Sequence, residues 1–203
     1  PGIVVLPARW PWYTNGPRFD NQEGGRESGP EQQLLPADWH GGAERERIQA
    51  IGQAVTATVD LLLQAGHQVV MVYPIPEVGW DVPVHLARAS LLGTGQTPSL
   101  VSTSHEVYLQ RSAKARAYLD AMPDHERLLS VRPAALLCDT LLPGRCIAQL
   151  PDGRPLYYDD NHPNALGAGM IAQQVIAAMR DRGWLPPTAS THEPMGSDPP
   201  TEK

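Results

Sequence analysis

The chain lacks the features that mark membrane-spanning, nucleic-acid-binding and zinc-held proteins. No apolar run approaches the ~20 residues that a helix needs to cross a bilayer. Basic residues are outnumbered, 16 Lys and Arg against 22 Asp and Glu, and the formal charge is −6. The cationic footprint for nucleic acid or anionic lipid is therefore absent, and no nucleic-acid partner is expected. Cysteine occurs only at Cys138 and Cys146, with no Cys-x-x-Cys. His40, His67, His85, His105, His125 and His192 have no paired ligand at helical spacing, so no metal is expected. There is no internal repeat and no heptad pattern. What is present is 203 residues, 41% of them apolar, enough for one α/β domain with a sizeable core. Proline, at 21 residues, is about twice its average usage and signals many fixed turns.

Ile3 to Leu6 is a β-branched run ended by Pro7, the pattern of a strand buried on both faces. Because this run starts at once, the chain reads as cut just before a core strand, a fragment of a longer domain. Residues 7 to 43 carry Asn15-Gly16-Pro17, Gly24-Gly25 and Gly29-Pro30 and read as a long loop, a functional lid or a disordered insertion. Ile48, Ile51, Val55, Val59 and Leu62 recur in steps of three and four, which predicts a helix over 44–65 closed by Gly66. Gln68 to Tyr73 follows as a strand, and 82–92 as a second helix. Thr103 and Glu106 form a capping box for a helix reaching about Met122, and Leu128 to Val131 is a short strand. The segment 133–158 reads as extended. Asn164 caps a last helix that buries Leu166, Met170, Ile171, Val175 and Met179. Residues 186–203 hold almost no large apolar side chain and read as a disordered Pro-rich tail, leaving 1–185 as the domain. This order of elements predicts a three-layer α/β/α sandwich on a mostly parallel sheet, with ligands at the carboxyl ends of its strands.

The segment Tyr158-Asp159-Asp160-Asn161-His162 precedes the last helix. An aspartate three residues before a histidine can accept its Nδ1 proton and leave Nε2 free as a base, two thirds of a hydrolytic triad. An Asp-rich turn can equally be a helix cap, and Asp160 is read as a solvated or capping carboxylate. The seven residues between Cys138 and Cys146 include Pro143-Gly144 and can fold back, so a disulfide is expected.

Four stretches occur in order: Val5 to Trp10, Tyr73 to Pro83 with its Pro-Ile-Pro-Glu-Val-Gly-Trp run, Cys138 through Cys146, and Pro155 to His162. Together they resemble the SGNH hydrolase domain fused to membrane acyltransferase-3 proteins, the O-acetyltransferases of bacterial surface polysaccharides, over roughly residues 1 to 185. The resemblance implies a flavodoxin-like fold, incomplete at the N-terminus, and Ser-His-Asp chemistry on acyl esters in the periplasm, as in lipopolysaccharide modification. It implies His162 as general base and Asp159 as its orienting partner, with a membrane acyltransferase domain upstream, a glycan as acceptor and no cofactor.

The family's nucleophile sits in a Gly-Asp-Ser turn, and this chain has none. Ser90, Ser99, Ser102, Ser104, Ser112 and Ser130 lack the strand-to-helix elbow that exposes an attacking oxygen. The serine is therefore expected outside the chain, and the chain alone is expected to be inactive. Where SGNH enzymes place a Gly-x-Asn for the oxyanion, this sequence reads Ala8-Arg9-Trp10. Arg9 is a candidate for oxyanion charge and Trp10 for a wall of the acceptor site; their bland readings are a structural ion pair and a packed aromatic. The competing class for the whole is a noncatalytic glycan-binding or interaction module of the same fold.

Overall fold

The computed structural model describes residues 1–37, 39–91 and 100–187. Most of the 186–203 tail, expected to be disordered, and most of residues 93–102, which the sequence reads as a loop, lie outside them.

Three parallel strands, β1 (Ile3–Pro7), β2 (Gln68–Val72) and β4 (Leu128–Val131), stand in the order β1-β2-β4. β2 is central, pairing Val5 with Val70 on one side and Val70 with Leu129 on the other. Its side chains alternate. Val69, Met71 and the following Tyr73 pack with Val59 and Leu63 of α2 (Glu44–Gln64) and Ala115 and Leu119 of α4 (His105–Asp120). Val70 and Val72 pack with Ile171, Val175 and Met179 of α6 (Ala165–Asp181). A strand covered on both faces needs an unbroken apolar run, as the sequence has. The four buried side chains from Val69 to Val72 each contribute roughly 1.5–3 kcal/mol. The helices on both faces make the three-layer α/β/α sandwich that the sequence predicts.

β1 departs from expectation. Val5 is 41% exposed, because among the described residues β1 pairs with a strand on one side only. An apolar groove of about 470 Å³ runs there between Val5, Pro7 and Val72 and the α6 residues Ala172 and Ile176.

The 7–43 segment is also more ordered than its composition suggests. It contains α1 (Trp10–Asn15), and the side chain that holds it is Arg47, a buried arginine of α2. Arg47 donates to Tyr13 O at 3.0 Å, Thr14 O at 2.7 Å and Leu34 O at 2.9 Å. The unpaired carbonyls at the end of a helix thus find a cation.

The helix α3 (Val82–Leu91) follows β2. Thr103 does not cap α4, since it lies in β3 (Ser102–Ser104), buried and paired with Cys146 of β5 (Arg145–Ile147). Ser104 caps instead, its hydroxyl accepting from Val107 N at 3.4 Å. Within 133–158, expected to be extended, one helical turn forms, α5 (Ala134–Leu137). Cys138 and Cys146 are joined as a disulfide that ties the end of α5 to β5 beneath Tyr108. Asn164 caps α6 as expected, its Oδ1 accepting from Leu166 N and Gly167 N at 2.9 and 3.0 Å. α6 lies so close to the preceding segment that a Cβ on Gly167 would stand 2.3 Å from Leu156 O.

Candidate active site

The turn between Tyr157 and α6 is built by Asp159. Its Oδ1 accepts from the backbone N–H groups of Asn161 at 2.9 Å and His162 at 2.7 Å, curling the chain back on itself. Its Oδ2 is then left 2.7 Å from His162 Nδ1. Burial would raise the Asp159 carboxyl, but the two backbone donors and the imidazole outweigh it and hold the group below its ordinary value. The carboxylate is thus ionised and fixed, and it favours the tautomer with the proton on Nδ1. The His162 ring stacks on Tyr158 with centroids 5.5 Å apart and planes at 9°. Its side chain is 56% exposed. No hydroxyl of the described residues is hydrogen-bonded to Nε2.

The turn is tied to the strap that follows β2. Asp160 O accepts from Val78 N at 3.0 Å and Gly79 N at 2.8 Å, and Tyr157 donates its phenol to Pro76 O at 2.7 Å. Position 79 admits only glycine: φ is +81°, and a Cβ would stand 2.8 Å from Gly25 O. The Asp160 side chain faces Ser28 N at 3.4 Å and the Asn161 amide at 2.5 Å. Burial, together with the nearby Glu27 and Asp159 charges, raises its carboxyl despite those donors. Asp160 acts as a strut between the loop and the turn, while Asp159 is the carboxylate at the imidazole.

His162 opens onto a cavity of about 190 Å³ lined also by Ala8, Arg9, Ile75, Glu77 and Asn161. Arg9 therefore lies beside His162, within a buried ion network. Its Nε donates to Glu77 Oε1 at 3.0 Å and its Nη1 to Glu27 Oε1 at 2.7 Å, while Nη2 contacts both carboxylates. Arg111 of α4 donates to Glu77 Oε2 at 2.7 Å, and Arg18 pairs with Glu27. Burial pushes the Glu27 carboxyl up, but Arg9, Phe19 N and Arg18 reverse this and hold it at about 2. Burial likewise opposes the charge on Arg9, and the two glutamates more than restore it, raising its pKa. One Nη1 hydrogen of Arg9 stays outside the network.

Trp10 does not wall this cavity. Its ring is buried between β2, α2 and α4, and its Nε1 donates to Val72 O at 2.6 Å, because the start of α1 turns the indole inward. Sequence reasoning also passed over four neighbours of the site. Glu27 and Glu77 lie 18 and 68 residues from Arg9, so no local pattern pairs them. Asn161 has its Oδ1 buried without a partner at the cavity. Ser28 is an exposed serine that meets the Asp159–His162 turn through its backbone. Of the serines considered from sequence, Ser112 is fully buried and donates to Tyr108 O at 2.8 Å, and Ser90, Ser102, Ser104 and Ser130 lie in α3, β3 and β4. Ser99 is outside the described residues.

With this geometry in view, residues 1–177 match the family described as the SGNH domain (fused to AT3 domains). The chain belongs to that family. Among solved structures, this SGNH domain is similar to one titled as the lipopolysaccharide acetyltransferase periplasmic domain of Salmonella ser. Paratyphi A. The two share 14% identity with a TM-score of 0.50 over 71% of this chain, a likeness of fold. The chain spans 54% of that domain's length. No curated protein matches it in sequence.

Proposed function

We propose that this SGNH domain supplies the base, His162, and the orienting carboxylate, Asp159, of a Ser-His-Asp site that transfers acetyl groups on cell-envelope polysaccharide. In this reading the serine comes from polypeptide outside these 203 residues. The observation that carries it is Asp159 Oδ2 at 2.7 Å from His162 Nδ1, with Nε2 bonded to no described hydroxyl.

The free edge of β1 supports the second half of the reading. The apolar groove beside β1 and the His162 cavity share Pro7, Ile75 and Pro163, so the two adjoin. A further parallel strand laid along β1 would end at His162, and the turn after such a strand is where an attacking serine is exposed. His162 Nε2 would take the serine proton as Oγ bonds to the acetyl carbon, then return it to the leaving oxygen of the donor ester. The acetyl-serine passes its acyl group to a sugar hydroxyl by the same steps. Arg9 offers its remaining Nη1 hydrogen to the developing oxyanion. The route needs neither metal nor nucleotide. The family's fusion to AT3 domains supports a membrane acyltransferase as the partner and a periplasmic setting for the site.

The test is turnover of p-nitrophenyl acetate by the 203-residue chain and by a longer polypeptide that carries the Gly-Asp-Ser turn. The chain alone should be inert, and the longer one should lose its activity on His162→Ala. Turnover by the chain alone that disappears on His162→Ala would overturn the external serine. If Ser28→Ala also abolishes it, the nucleophile is Ser28. A coding sequence with no Gly-Asp-Ser ahead of Pro1 would favour the noncatalytic glycan-binding module.

A further inference from the structure

We propose that a second cleft, lined by Trp80 and Glu23, binds a neutral sugar ring of a carbohydrate chain. The cleft encloses about 490 Å³, within the range of small-molecule sites. Trp80, His85 and Leu142 give it apolar walls, and Glu23, Ser102 and Arg145 give it polar ones.

The polar side is a planar, charge-cancelled plate. Arg145 donates through Nη2 to Glu23 Oε2 at 2.8 Å and through Nη1 to Oε1 at 2.5 Å. It also reaches Ser102, from Nε to Oγ at 3.1 Å and from Nη2 to O at 2.6 Å. The Glu23 and Arg145 side chains are 35% and 30% exposed, so the plate is anchored yet open to the cleft. A carboxylate pinned in this way keeps a lone pair on each oxygen, spaced to accept from two adjacent hydroxyls. The apolar side is an aromatic wall, in which the Trp80 and His85 rings have centroids 4.9 Å apart at 31°. Trp80 is held in place by Gly25, where a Cβ would stand 2.7 Å from the indole.

Together these select the ligand. A lone anion finds its cation already paired, and an acyl chain would strand Glu23 and Arg145 out of water. A pyranose, with an apolar C–H face and a rim of hydroxyls, satisfies both sides. The location fits a neighbouring subsite: Glu77 lines the His162 cavity and Trp80 this cleft, three residues apart and at most about 10 Å of chain.

The proposal rests on the acyl-transfer reading only for the choice of probe, an array of bacterial surface polysaccharides. Direct binding of the 203-residue chain is measured on it, without turnover. At least one neutral polysaccharide should be retained, and retention should fall about tenfold or more with Trp80→Ala and with Glu23→Gln. Glu23 is a surface residue, so its variant keeps the test open if Trp80→Ala does not fold. Retention of no neutral polysaccharide, retention unchanged by both variants, or retention of acidic polysaccharides alone would overturn the proposal. A chain that binds sugar in this way but shows no turnover with the serine-bearing polypeptide would sink the acyl-transfer reading and leave this one standing.

Discussion

Replacing Glu27 by glutamine should remove a stability term with a defined pH signature. The carboxyl is buried and receives Arg9, Arg18 and Phe19 N, which together hold it at about 2 against an ordinary 4.5. A group depressed in this way stabilises the fold above pH 4.5, and the contribution is lost as the pH falls toward 2. The difference corresponds to about 3 kcal/mol at neutral pH, in line with the ~3–5 kcal/mol lost when one partner of a buried pair is removed. Urea unfolding at neutral pH should show that loss in Glu27→Gln, with a melting temperature lowered by roughly 6–12 °C. As the pH is taken from 4.5 to 2, the wild type should weaken until the gap nearly closes. A gap that stays constant over that window, or a neutral-pH loss below about 1 kcal/mol, would refute the assignment of Glu27 as the anchor of Arg9.

Gly167→Ala should cost about 2 kcal/mol or more in chemical unfolding, because the new methyl meets Leu156 O and pushes α6 from the segment leading into the Asp159 turn. Asn164→Ala should cost about 1 kcal/mol by the same assay through loss of the α6 cap. Reducing the Cys138–Cys146 disulfide, or replacing both cysteines by serine, should lower stability by about 2–3 kcal/mol, as the short closed loop implies. With the serine-bearing polypeptide, Asp159→Asn should depress ester turnover by about 10³–10⁴ through the wrong imidazole tautomer.

The parts that local chemistry dictates were legible in the sequence. The apolar run from Gln68 to Tyr73 marks a strand, the spacing of Ile51, Val55 and Val59 a helix face, and Asn164 is a cap by its own side chain. Asp159 and His162 were legible for the same reason: three residues of one turn set their contact. Features set by distant partners were not. α1 carries tryptophan, proline and tyrosine and forms because Arg47 and Arg111, far along the chain, meet its end through Arg47 donors and the Arg111 carbonyl. The three-residue strand β3 exists only through its pairing with β5, which is why Thr103 passed for a cap. Arg9 and Trp10 are adjacent, yet one enters the ion network beside His162 and the other the core, a division fixed by Glu27, Glu77 and the Val72 carbonyl.

The tautomer of His162 can be read by long-range nitrogen–proton NMR correlations on the neutral ring, and it decides whether Asp159 aims Nε2 at an incoming hydroxyl. The proton should reside on Nδ1, facing Asp159, with Nε2 bare, and should redistribute in Asp159→Asn. A proton resident on Nε2, or a tautomer indifferent to Asp159→Asn, would contradict that role of Asp159.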